Sequence, residues 1–95
     1  IIIMPNLDEI FTKATSLRGL KPTNDQLKLI YAYYKQATIG NINIDRPTSL
    51  LKIKEKQKWD AWKSVENTTP EHAKIKYIDI VYRLTGDDYF KLTIE

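Results

Sequence analysis

Tyr31, Tyr34 and Lys35 fall within five residues of one another, in the run Tyr31-Ala32-Tyr33-Tyr34-Lys35-Gln36-Ala37-Thr38-Ile39-Gly40. On a helix Tyr31 and Tyr34 are an i, i+3 pair and Tyr31 and Lys35 an i, i+4 pair, so the three share one surface patch. Phenol rings beside an ammonium group suit a ligand with a π-face and a phosphate: the ring stacks on the base and the cation meets the anion. A second group is Lys52, Lys54, Lys56 and Lys58, ahead of Trp59-Asp60-Ala61-Trp62. Alternate residues spread around a helix, and Lys54 and Lys58, four apart, run along one face. If Lys58 approached Lys35 from a neighbouring helix, the two would clamp one phosphate with charge-assisted bonds. The structural alternatives stay open at this stage. Aromatic stripes at helical spacing are more often core, and a lysine run is more often a solvated face.

Other chemistries find little support. There is no cysteine, which removes disulfides, thiolate zinc sites and a Cys nucleophile. His72 is the only imidazole and lies in the first turn of a helix, where a surface role is expected; no Gly-x-Ser-x-Gly elbow accompanies it. A net charge of +3 fits a small anionic ligand better than a long nucleic-acid track. No apolar run approaches the ~20 residues of a membrane span or the core of a signal peptide. A cytoplasmic location is therefore expected, and four capped helices suffice for a monomer.

The elements that must position these residues are helical. Asn6 with Glu9 has capping-box spacing and predicts a helix over 7–18 closed by Gly19. Thr23 with Gln26 repeats that spacing and opens a second helix, along which Leu27, Ile30, Tyr31, Tyr34 and Thr38 share a face up to Gly40. Residues 40–50 read as an ordered loop with Ile42, Ile44 and Leu50 as apolar anchors. A third helix is expected over 51–65. Thr69, Pro70 and Glu71 mark the start of a fourth that ends at Gly86. Residues 87–95 read as a weakly ordered tail, and 1–4 as a non-native remnant or disordered N-terminus. At 95 residues with 42% hydrophobic content, the chain holds one all-α domain, placed at 5–86.

Several of these segments together resemble the acyl-CoA-binding protein family. They are Tyr31-x-x-Tyr34-Lys35-Gln36-Ala37-Thr38-Ile39-Gly40-Asn41, Arg46-Pro47, Lys58-Trp59-Asp60-Ala61-Trp62 and Ala73-x-x-x-Tyr77-Ile78. The resemblance implies an up-down-down-up four-helix bundle that binds medium- to long-chain acyl-CoA thioesters without chemistry. It implies no cofactor, and acyl-CoA-using enzymes as partners. Carried over, Tyr31, Lys35 and Lys58 match the residues that hold the CoA 3′-phosphate, and Tyr34 the ring stacked on adenine. Tyr77 matches a tyrosine near the ligand, Leu27 and Ala14 match positions lining the acyl groove, and Arg18 stands nearest the family's basic residue against phosphate. The chain departs from the family pattern in three places. Thr48-Ser49 replace the common Gly-Met, the stretch from Pro47 to Lys58 is one residue longer, and Gln57 replaces a small residue beside the acyl groove. The competing readings are a helical protein-interaction module, weak nucleic-acid binding through the third helix, and thioester hydrolysis.

Overall fold

The computed structural model describes residues 6–92, and the reading of residues 1–4 lies outside them. Among the described residues the chain forms α1 (Leu7–Ser16), α2 (Asn24–Thr38), α3 (Ile53–Ser64) and α4 (Pro70–Thr85), followed by a 3-10 turn at Asp88–Phe90. The starts of α2 and α4 follow from local chemistry. Thr23 Oγ1 accepts from Gln26 N at 3.1 Å while Gln26 Oε1 accepts from Thr23 N at 2.9 Å, a complete capping box. Thr69 Oγ1 accepts from His72 N at 3.1 Å with Pro70 at the first helical position, and Gly86 closes α4 in the left-handed region at φ +67°.

α1 differs from expectation at both ends. Asn6 makes no side-chain cap, so the expected box with Glu9 is absent; the Asn6 carbonyl instead accepts from Ile10 N at 2.9 Å. At the other end Thr15 and Ser16 turn their hydroxyls back onto the carbonyls of Thr12 and Lys13, at 2.9 and 2.7 Å. Such back-bonding competes with the helical ladder. The helix stops at Ser16, Leu17 is extended, and Gly19 (φ +79°) belongs to the following loop rather than to a cap.

Helix directions can be read from their contacts. Lys74 Nζ on α4 meets Asp8 Oδ1 on α1 at 2.6 Å, pairing the N-terminal halves of two parallel helices. Gln36 near the end of α2 donates to the carbonyl of Thr68, just ahead of α4, so α2 and α4 are antiparallel. The first turns of α2 and α3 border one cleft, and their last turns meet where Trp62 Nε1 donates to Gly40 O at 2.9 Å. α2 and α3 are therefore parallel, and the bundle runs up-down-down-up. The main core is Phe11, Ala14, Tyr77, Ile78, Val81 and Phe90, between α1, α4 and the terminal turn. A smaller cluster of Ala32, Trp62 and Val65 joins α2 to α3, and α3 packs on no other helix among the described residues.

Parallel neighbours need a long connection, and residues 39–52 supply it. Its anchors are mostly polar. Trp59 Nε1 donates to Ile44 O at 2.8 Å, and Arg46 grips Asp60 with two bonds of 2.9 and 3.0 Å. Of the three apolar anchors expected, only Ile42 packs on the core; Ile44 and Leu50 are exposed. Asn41 Oδ1 accepts from Gln36 Nε2 at 2.8 Å and from Asn67 N at 2.7 Å, so the loop is tied to α2 and to the α3–α4 turn together. Asn67 takes φ +73° there, a conformation that Asn tolerates better than most residues.

The tail is the clearest correction. Asp87 Oδ1 caps the terminal turn by accepting from Tyr89 N at 2.9 Å, and Phe90 is buried in the main core. The tail is thus pinned through Phe90, with Leu92 packed beside it, because an aromatic ring with a core site available will occupy it; residues 93–95 lie outside the described residues. Phe90→Ala is expected to lower unfolding free energy by about 3 kcal/mol in urea denaturation. An unchanged midpoint would return the tail to the solvent.

Candidate functional site

Because α3 packs on no helix but α2 among the described residues, a cleft of about 790 Å³ opens between their first turns and reaches Tyr77 on α4. Leu27, Ile30, Tyr31 and Tyr34 come to it from one face of α2, at the i, i+3, i+4 spacing of that helix. Lys54, Gln57 and Lys58 come from α3, one turn apart. The cleft has two unlike parts. Leu27, 55% exposed, and Ile30 supply an apolar wall, while Tyr31 and Lys58 supply a polar one.

The polar part centres on the Tyr31 ring. Lys35 Nζ lies 5.9 Å from its centroid and Lys58 Nζ 5.5 Å, both within cation–π reach. Lys35 does not itself line the cleft; it stands one helical turn beyond Tyr31, with its Nζ also 5.6 Å from the Trp62 ring. Among the described residues the ion pairs are Arg46–Asp60, Lys63–Glu66, Lys74–Asp8 and Arg83–Asp79. Neither Lys35 nor Lys58 takes part. Two ammonium groups held near one ring without a carboxylate make a preorganised site for an anion. Burial pushes the Tyr31 phenol above its ordinary pKa, so its hydroxyl remains a donor at neutral pH.

Tyr34 is 42% exposed and lines the cleft while packing 6.3 Å from the rings of both Phe11 and Tyr77. Its ring is braced by the core and still offers surface to a planar ligand. Tyr77 is buried, in edge contact with Phe11 at 5.2 Å, and its pKa is raised first by burial and then by the neighbouring Tyr34.

Two residues from the family resemblance stand apart. Ala14 is 1% exposed within the α1–α4 core and is not among the residues lining this cleft, because α1 turns this face to α4. Arg18 follows the shortened α1, where its Nη1 donates to the carbonyls of Ser16 and Leu17 at 3.0 and 3.1 Å. It thereby satisfies carbonyls freed at the helix end. Conversely, Asn24 and Lys28 line the cleft and had not been singled out. Their signal was present, since Asn24, Lys28 and Tyr31 fall on one helical face. His72 is exposed, apart from the cleft.

Residues 8–81 match the sequence profile of the family described as "Acyl CoA binding protein". The chain belongs to the acyl-CoA-binding protein family. This is a non-catalytic binding family, matching the fold class and the absence of enzymatic chemistry expected from the sequence. An acyl-CoA-binding protein of Gossypium hirsutum is 46% identical over 63 residues, 66% of this chain and 70% of that protein. Among solved structures, acyl-CoA-binding protein 2 of Oryza sativa aligns with a TM-score of 0.70 at 38% identity, covering 84% of this chain and 87% of its own. The family member from Moniliophthora perniciosa aligns at 0.67 and 40% identity, covering 90% and 86% respectively.

The two raised phenols give a pH prediction. A folded-state pKa above the unfolded value adds stability that is fully present below the ordinary tyrosine value of 10.0 and is lost as pH rises through the folded values. Phenolate absorbance is expected to show a late-ionising component that Tyr77→Phe reduces, with unfolding free energy falling above about pH 10. A late component untouched by Tyr77→Phe would contradict the assignment.

Proposed function

We propose that this member of the family binds medium- to long-chain acyl-CoA esters and carries or buffers them in the cytoplasm. The observation that carries the reading is the unpaired Lys35–Lys58 pair around Tyr31, at the end of a cleft with an apolar wall. In this account the two ammonium groups and the Tyr31 hydroxyl hold the 3′-phosphate of CoA. The adenine stacks on Tyr34, an arrangement worth about 1–3 kcal/mol by analogy with base–aromatic contacts. The acyl chain runs along Leu27 and Ile30 past Gln57 and Tyr77, where each methylene removed from water contributes about 0.8 kcal/mol. Gln57 places an amide beside that path, so it is the residue to which chain-length preference is assigned. The chain acts here as a holder: it shields the thioester and chemistry belongs to acyl-CoA-using enzymes. Among the described residues no helix is long and apolar enough to cross a membrane, in keeping with a carrier that moves between such enzymes.

Isothermal titration is expected to give one-to-one binding of palmitoyl-CoA, weaker binding of free CoA and no measurable binding of palmitate, which lacks the anchor. Equal affinities for CoA and palmitoyl-CoA would overturn the two-ended mode. Lys35→Ala is expected to weaken palmitoyl-CoA binding by about 1.5–3 kcal/mol through lost charge-assisted bonds. A loss under about half a kcal/mol would mark Lys35 as merely solvated.

A further inference from the structure

The turn that leads into α3 carries two leucines that nothing in the fold uses. Leu50 is 85% exposed and Leu51 94%, with Ile53 at 62% in the first turn of the helix. These are not loose positions: Lys52 N donates to Ser49 O at 3.2 Å and Leu51 N to Ser49 Oγ at 3.2 Å, closing the turn beneath them. Near-complete exposure on a closed turn describes a protruding apolar point rather than a groove. Alternating with it are Lys52, Lys54 and Lys56, with Glu55 the one carboxylate between residues 49 and 58. None of the three lysines has an ion-pair partner among the described residues.

We propose that this turn docks the protein on an anionic lipid bilayer, with Leu50 and Leu51 entering the acyl boundary and Lys52 and Lys56, one helical turn apart, at the headgroups. Charge complementarity selects that occupant. Adjacent apolar and basic side chains match an interface whose outer layer is negative and whose inner layer is hydrocarbon. Lysine stems lie along apolar surface while their ammonium groups stay in the polar layer. A protein groove shaped for the leucines would leave these ammonium groups without partners unless it were also acidic. Lys54 lines the cleft as well, so the docked turn sets the mouth of the binding site at the lipid surface. Two leucines and a short basic run make a weak, reversible contact that responds to salt.

The test is co-sedimentation of the protein, without ligand, with phosphatidylcholine vesicles containing about 30% phosphatidylserine, against vesicles of phosphatidylcholine alone. Binding is expected to the anionic vesicles only, to fall sharply at about 0.5 M NaCl, and to drop roughly tenfold in the double variant Leu50→Ser/Leu51→Ser. That variant is expected to keep the wild-type melting temperature and palmitoyl-CoA affinity. The ligand-free format keeps the result separate from whatever the cleft binds. No binding to anionic vesicles, or binding unchanged in the double variant, would overturn the proposal. So would a concentration-dependent dimer in size-exclusion chromatography that the double variant abolishes, since the patch would then belong to a second copy.

Discussion

Trp62 donates its indole N–H to the carbonyl of Gly40 at 2.9 Å, buries its ring between α2 and α3, and lies 5.6 Å from the ammonium of Lys35. Fold and site meet in that one side chain. Among the described residues α3 packs on no helix but α2, and Trp62 joins that contact to the loop between them. Gln36 works beside it, spending both amide hydrogens on Asn41 and Thr68 while its Oε1 stays buried without a partner. A buried polar group of this kind is costly unless its bonds are made. The arrangement therefore tolerates few alternative positions for the loop.

That rigidity bears on the electrostatics. Lys35 and Lys58 come from different helices and repel one another, both lie over the Tyr31 ring, and among the described residues neither is ion-paired. Held apart by a flexible scaffold, they would swing into solvent. Held by helices that Trp62 ties together, they keep two positive charges close to one ring. The apolar wall has the complementary property. Leu27 is left more than half exposed by the same geometry that keeps α3 from α4. The cleft thus combines two unmet demands, one of charge and one of exposed hydrocarbon.

What the sequence revealed was what local chemistry decides. Thr23, Thr69 and Gly86 cap their helices from within a few residues of chain, and they were readable for that reason. Tyr31, Tyr34 and Lys35 share a patch by helical spacing alone. The approach of Lys58 to that patch depends on helix packing, and it was raised from the sequence only as a condition. The misreadings have the same cause. The end of α1 depends on which carbonyls two hydroxyls choose, the tail on a core site for Phe90, and the loop on indole and guanidinium bonds across 14 residues or more of chain. Where α1 ends also decides where Arg18 stands, with its Nη1 donating to the carbonyls of Ser16 and Leu17.

The central claim is that Lys35, set beside Tyr31 and Lys58, reads a phosphate. The most direct measurement is a thermodynamic cycle in which wild type and Lys35→Ala are each titrated with palmitoyl-CoA and with its 3′-dephospho analogue. The account predicts that removing the phosphate weakens wild type by about tenfold or more and the variant by far less. Equal losses in both proteins would mean that Lys35 and the phosphate do not meet.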